Sequence, residues 1–243
     1  MSSILIYLLC VLLVLFICLY FIKQSEYGSH ELFLSENTSE LIDAILYINL
    51  KHRTDRKSHI EKELTKLKSL TNNIQKIDAI KHNNGAKGCG YSHIKALNYA
   101  KKNNYKNVLI VEDDLIFKDD NKIITNIQNA INQINIFDVL MISGNIQKKE
   151  PTDIKNISKA INVQTTSCYL INYHYYDKLI DVFTESCKNL SDIKSYENSQ
   201  TWAIDRNWFK LQKKDNWYIF DPTLAYQIDD YSDIEKKQVN YKV

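Results

Sequence analysis

The sequence predicts an α/β protein whose mostly parallel sheet is flanked by helices. Three runs, residues 44–50, 74–80 and 108–111, read as strands, and the last is a continuous apolar run with the β-branched composition of a strand covered on both faces. Amphipathic segments separate them, and the order strand, helix, strand, helix, strand implies right-handed parallel crossovers of a doubly wound half. The third run stops at Glu112, Asp113 and Asp114. In such sheets the ligand crevice lies outside the carboxyl ends of the strands, so these acids stand where a ligand binds.

If the chain stays extended there, Glu112 and Asp114 share one side and Asp113 faces the other. Two hard oxygen ligands suit Mn²⁺ or Mg²⁺, whose remaining positions go to water and substrate phosphate. The alternative is that the acids merely end a buried strand in solvent.

With 243 residues, 44% of them hydrophobic, the chain can bury one sizeable core. Its 31 basic and 29 acidic residues give a net charge of +2 and no basic face, so no nucleic-acid partner is expected. Residues 4–22 contain no charged residue and reach the length of a single transmembrane helix. The run is too long for the core of a cleaved signal, and no basic residue precedes it. The expected organisation is a transmembrane anchor (1–22), a stem (23–43) and one catalytic domain (44–243), located at a membrane. Lys23 alone does not fix the orientation. Cys89, Cys168 and Cys187 form no zinc-like or disulfide pattern, and sequons at Asn37, Asn156 and Asn189 are expected by chance in so Asn-rich a chain.

The first strand is followed by KHRTDRKSHIEKELTKL, where Thr54 or Asp55 can cap a helix with apolar positions Ile60, Leu64 and Leu67. A strand, a basic turn and a helix N-terminus together favour an anion, with Arg53 and Arg56 as its clamp or as solvated surface residues. Three of the five glycines, Gly85, Gly88 and Gly90, precede the next helix, for which Ser92 is the expected N-cap and Ile94, Leu97 and Ala100 the buried face. His93 sits at that helix start. Further strands are expected at residues 137–144 and 169–172, the latter running into a helix with Leu179 and Phe183 inward. Trp202, Trp208 and Trp217 are core or sugar-stacking residues. Neither a GxGxxG nor a Walker lysine is present.

INLKHRTDR (48–56), GCGYSH (88–93), VLIVEDD (108–114), TTSCYLIN (165–172), PTLAYQ (222–227) and SDI (232–234), in this order, resemble glycosyltransferase family 25. That family includes bacterial lipopolysaccharide galactosyltransferases and collagen hydroxylysine galactosyltransferases. The resemblance implies a GT-A fold with a Rossmann-type sheet, a nucleotide-sugar donor such as UDP-galactose or UDP-glucose, a Mn²⁺ or Mg²⁺ cofactor, and inverting transfer to a glycan, lipopolysaccharide or protein acceptor. EDD then stands for the DxD motif: Asp114 binds the metal, and Glu112 contributes as a ligand and catalytically, at the ribose or through water. Asn49 and Arg53 hold the nucleotide, with Asp113, Ser92 and His93 also at the donor site.

Inversion needs a base that deprotonates the acceptor hydroxyl. Asp205 is the candidate, though an aspartate there can equally cap a helix, and Asp229, Asp230 and Asp233 are alternatives. A catalytically inactive anchored domain binding carbohydrate, and a nucleotidyltransferase releasing pyrophosphate, are rival readings. Metal-dependent nucleotide binding without turnover would mark the first, and the missing glycine-rich, lysine-containing loop argues against the second.

Overall fold

The structure, a computed structural model, describes residues 41–118, 121–192, 196–228, 230–232 and 237–239. The apolar run 4–22, Asp229 and Asp233 lie outside the described residues. Among those described, no helix is long and apolar enough to cross a membrane.

The chain forms β1 (Ala44–Asn49), α1 (Thr54–Leu64), β2 (Ile74–Asp78), α2 (Gly85–Lys102), β3 (Asn107–Glu112), β4 (Leu115–Phe117) and α3 (Ile123–Ile134). There follow β5 (Val139–Met141), β6 (Asn145–Pro151), β7 (Ile157–Gln164), β8 (Cys168–Asn172) and α4 (Tyr176–Asn189). Short helices α5 (Tyr196–Trp202), α6 (Ile204–Asn207) and α7 (Phe209–Gln212) lead to β9 (Trp217–Phe220) and β10 (Ala225–Gln227), and β11 (Asp230–Ser232) pairs with β12 (Lys237–Val239).

The central sheet has the order β2-β1-β3-β8-β5-β9-β7-β6. The first three strands pair in parallel, as the alternating pattern requires. Strands β8 and β7 run against the other six, so the sheet is mixed but keeps one dominant direction. Alternate residues of each central strand enter opposite cores. Leu46, Ile48 and Ile110 meet Leu97 and Ala100 of α2 and Leu179 and Phe183 of α4, whereas Ile45, Leu109 and Val111 meet Ile60 and Leu64 of α1 and Ile127 of α3. Each such buried Leu, Ile, Val or Phe side chain contributes about 1.5–3 kcal/mol. Trp208 and Trp217 are completely buried and edge-on at 5.1 Å, so they belong to the core and not to a sugar platform.

Helix α2 corrects one expectation. It begins at Gly85, capped by Asn84, whose side chain accepts from the backbone N–H of Ala86 and Lys87 at 3.0 and 3.4 Å. Ser92 lies inside the helix: its hydroxyl donates to Gly88 O at 2.7 Å and accepts from Ile80 N–H at 2.8 Å. The glycines that read as helix breakers are packing residues. A Cβ on Gly88 would stand 2.7 Å from Ile80 O, and one on Gly90 would stand 2.5 Å from Cys187 Sγ. The helix can press against the loop after β2 and against α4 only because these positions have no side chain.

Candidate active site

Antiparallel β8 shapes the site. Because Val111 pairs with Cys168, the residues entering β8 lie beside the end of β3, and Glu112 N–H donates to Ser167 O at 2.8 Å. Thr166 Oγ1 thereby reaches Glu112 Oε1 at 2.5 Å, and His93 Nε2 lies 3.1 Å from the same oxygen. His93 is itself 1% exposed and its Nδ1 lies 2.9 Å from the Tyr169 hydroxyl. His93 therefore orients Glu112 from behind. Burial pushes the Glu112 carboxyl up, but the hydrogen bond and charge interaction with His93, aided by Thr166 and Arg56, outweigh it and hold the group below the ordinary value.

The strand ends at Glu112, and the chain turns at Asp113 and Asp114. This turn corrects the extended pairing of Glu112 with Asp114. Instead Asp113 and Asp114 converge on Arg56, whose Nη1 donates to both, at 3.2 and 3.1 Å. Asn49, at the end of β1, donates from Nδ2 to Asp113 Oδ2 at 2.7 Å and to Arg53 O at 3.0 Å, so it ties the basic turn to the acids. Its Oδ1 is buried and has no hydrogen-bond partner among the described residues. Arg53 donates to Asp55 through Nη2 at 2.8 Å. On the far side Gln227 donates to Asp114 Oδ1 at 3.3 Å, carried there by the pairing of β10 with β4. Burial raises Asp113, against the pull of Asn49 and Arg56. Burial, then the charge of Glu112, pushes Asp114 up to about 7.

Glu112 opens into a pocket of about 340 Å³ that also takes in Cys89, Thr166, Ser199, Asp205, Arg206 and Gln227. Asp205 lies in the first turn of α6 and its Oδ2 accepts from the backbone N–H of Thr165 at 3.2 Å. Burial raises its carboxyl above the ordinary value, with the Thr165 N–H and Arg206 acting against it. Ser199 Oγ in this lining is buried and has no hydrogen-bond partner among the described residues.

The structure thus joins Asn49, Arg53, Arg56, Asp113 and Asp114 in one network, and places Glu112 and Asp205 on one pocket. Ser92 and His93 are placed behind the site: the Ser92 hydroxyl is spent on backbone groups, and both His93 nitrogens face side chains. Thr166, Gln227 and Tyr169 carry no signal of their own in the sequence. All three lie in segments that resemble the family, and only the antiparallel strands bring them to the acids.

Residues 83–203 match the profile described as "Glycosyltransferase family 25 (LPS biosynthesis protein)". Comparison with curated proteins returns no significant match. Among solved structures, the chain is similar to A197 from STIV at 10% identity, with 82% of this chain and 96% of that one covered and a TM-score of 0.45. A second likeness is to a mannose-1-phosphate geranyltransferase from Thermus thermophilus, at 10% identity, 74% and 73% coverage and a TM-score of 0.46. A third is to a glycosyltransferase involved in glycosylation of the major capsid of PBCV-1, at 10% identity, 74% and 92% coverage and a TM-score of 0.40. The matched span contains helix α2, the acidic end of β3 and the Thr166 turn, and it marks a glycosyltransferase family 25 domain, that of a sugar-transferring enzyme.

Proposed function

We propose that this enzyme is a metal-dependent, inverting hexosyltransferase with a GT-A fold, using UDP-galactose or UDP-glucose and a glycan, lipopolysaccharide or protein hydroxyl as acceptor. The supporting observation is the convergence of Asn49, Arg56, Asp113 and Asp114 where β1 and β3 end, next to a pocket that holds Glu112 and Asp205. Residues 4–22 would anchor the chain in a membrane.

The oxygen donors of Asp114, Asp113 and Glu112, with the buried Oδ1 of Asn49, unpartnered among the described residues, suit a hard divalent cation. Asp114 would hold Mn²⁺ or Mg²⁺ with help from Glu112, and the ion would supply positive charge to the leaving diphosphate. Arg56 adds charge of the same sign. Preorganised positive charge of this kind favours the transition state, in which negative charge accumulates on the nucleotide. Asn49 and Arg53 position the nucleotide side. Asp205 takes the proton of the acceptor hydroxyl, a task for which a raised pKa makes it a stronger base than a surface aspartate. Ser199 and Arg206 offer hydrogen bonds to sugar hydroxyls in the same pocket.

The full-length chain, with a panel of nucleotide sugars and either Mn²⁺ or EDTA, provides the test. Release of nucleotide diphosphate from one donor, abolished by EDTA and by Asp114→Ala, is expected. Donor binding and turnover that are both indifferent to EDTA and to Asp114→Ala would rule out the metal-dependent mechanism.

A further inference from the structure

A second set of ligand atoms meets where helix α2 passes the end of β3. Cys89 and His93 are four residues apart on the helix and so share a face. Cys89 Sγ, a His93 ring nitrogen and a Glu112 carboxylate oxygen all lie within 4.8 Å of one another. The 3.1 Å between His93 Nε2 and Glu112 Oε1 is close to the spacing of two ligands on one tetrahedral ion, roughly 3.3–3.8 Å for bonds of about 2.0–2.3 Å. The other ring nitrogen of His93 is 2.9 Å from the Tyr169 hydroxyl, in the position of the outer partner that orients a ligating imidazole. Cys89 and Glu112 both face the pocket, which leaves a fourth position open to water.

We propose that Cys89, His93 and Glu112 bind one thiophilic divalent cation of the Zn²⁺ class, at a position that shares Glu112 with the hard-cation site on Asp114 and differs from it in its sulfur and imidazole donors. Sulfur and imidazole donors select a softer ion than the all-oxygen set of Asp113 and Asp114. One thiolate and one carboxylate together balance a divalent charge, which a buried site requires. Burial keeps the Cys89 thiol protonated without metal. Binding therefore breaks one S–H bond, forms one sulfur–metal bond and releases one proton to solvent. No donor substrate is needed, so binding of this ion is read without turnover, although it draws on the Glu112 carboxylate that the proposed hard-cation site also uses.

Titration of the full-length chain with Co²⁺ as a spectroscopic stand-in tests it. One equivalent is expected to give a sulfur-to-cobalt charge-transfer band, displaced by Zn²⁺, lost in Cys89→Ser and retained in Cys187→Ser and Asp114→Asn. A band that survives Cys89→Ser, or that disappears with Asp114→Asn, overturns the proposal. A second readout needs no variant: peptide-level mass spectrometry of N-ethylmaleimide labelling should show Cys89 modified at least roughly tenfold more slowly with Zn²⁺ than with EDTA. Equal labelling rates would also overturn it.

Discussion

His93 Nε2 stands 3.1 Å from Glu112 Oε1, linking the middle of α2 to the last residue of β3. This contact decides the ionisation of Glu112, because burial alone would raise the carboxyl and the interaction with His93 reverses the sign. A carboxyl held below its ordinary value of 4.5 contributes stability that is present above that pH and lost as pH falls through the lower folded value. His93→Gln should therefore cost stability at neutral pH, with the difference from wild type shrinking as pH falls below 4.5. Melting temperatures of wild type and variant between neutral pH and about pH 3 would show it, and curves that stay parallel throughout would refute the assignment.

Arg56 presents a different dependence. A single Nη1 serves both Asp113 and Asp114, so Arg56→Ala leaves two adjacent, largely buried acids without their shared cation. In the proposed mechanism Arg56 adds positive charge at the leaving group, and its loss should lower kcat by about 10²–10³-fold. Steady-state kinetics with saturating donor distinguish this from weaker binding: an effect confined to KM would place Arg56 in ground-state recognition alone.

The alternating core was legible in the sequence because buried parallel strands and amphipathic helices each leave a period. Ile60, Leu64, Leu97, Leu179 and Phe183 all face inward as their spacing requires. The start of α2 was not legible, since Gly88 and Gly90 look like turn residues until Ile80 O and Cys187 Sγ are found occupying the space a Cβ would take. The geometry of Glu112, Asp113 and Asp114 was hidden for a related reason. Periodicity predicts facing only while the strand continues, and here the turn after Glu112 sends the next two acids to Arg56. Gln227 reaches Asp114 from 113 residues away, through a strand pairing with no local signature.

In the proposed mechanism Asp205 couples function to stability with opposite signs. Its carboxyl is raised by burial, so between the unfolded value of 3.8 and the higher folded value stability falls as pH rises. Asp205→Asn removes that penalty and should raise the melting temperature at neutral pH, with the gain vanishing below pH 3.8, where the carboxyl is protonated in both states. If Asp205 is the base, the same substitution should lower transfer by about 10²–10⁴-fold. Calorimetry and transfer assays on one preparation test both signs. A variant that melts earlier at neutral pH would show that the contact with Thr165 outweighs the burial cost.

Gly90 connects the packing of α2 to the pocket. An added Cβ would stand 2.5 Å from Cys187 Sγ on α4 and 3.1 Å from Ile204 Cγ2 on α6, immediately before Asp205. Neither neighbour has slack, because Cys187 is 1% and Ile204 3% exposed. Helix propensity favours alanine over glycine by about 1 kcal/mol, while overpacking a filled core costs about 1–3 kcal/mol. The steric term prevails at this separation, so Gly90→Ala should be net destabilising in denaturant unfolding, with α6 and Asp205 displaced and transfer reduced. Gly85→Ala, in the half-buried first turn, serves as the propensity control and should be neutral or stabilising. Stabilisation of both variants alike would mean that α2 and α4 can separate, and that the close approach at Gly90 does not constrain the position of Asp205.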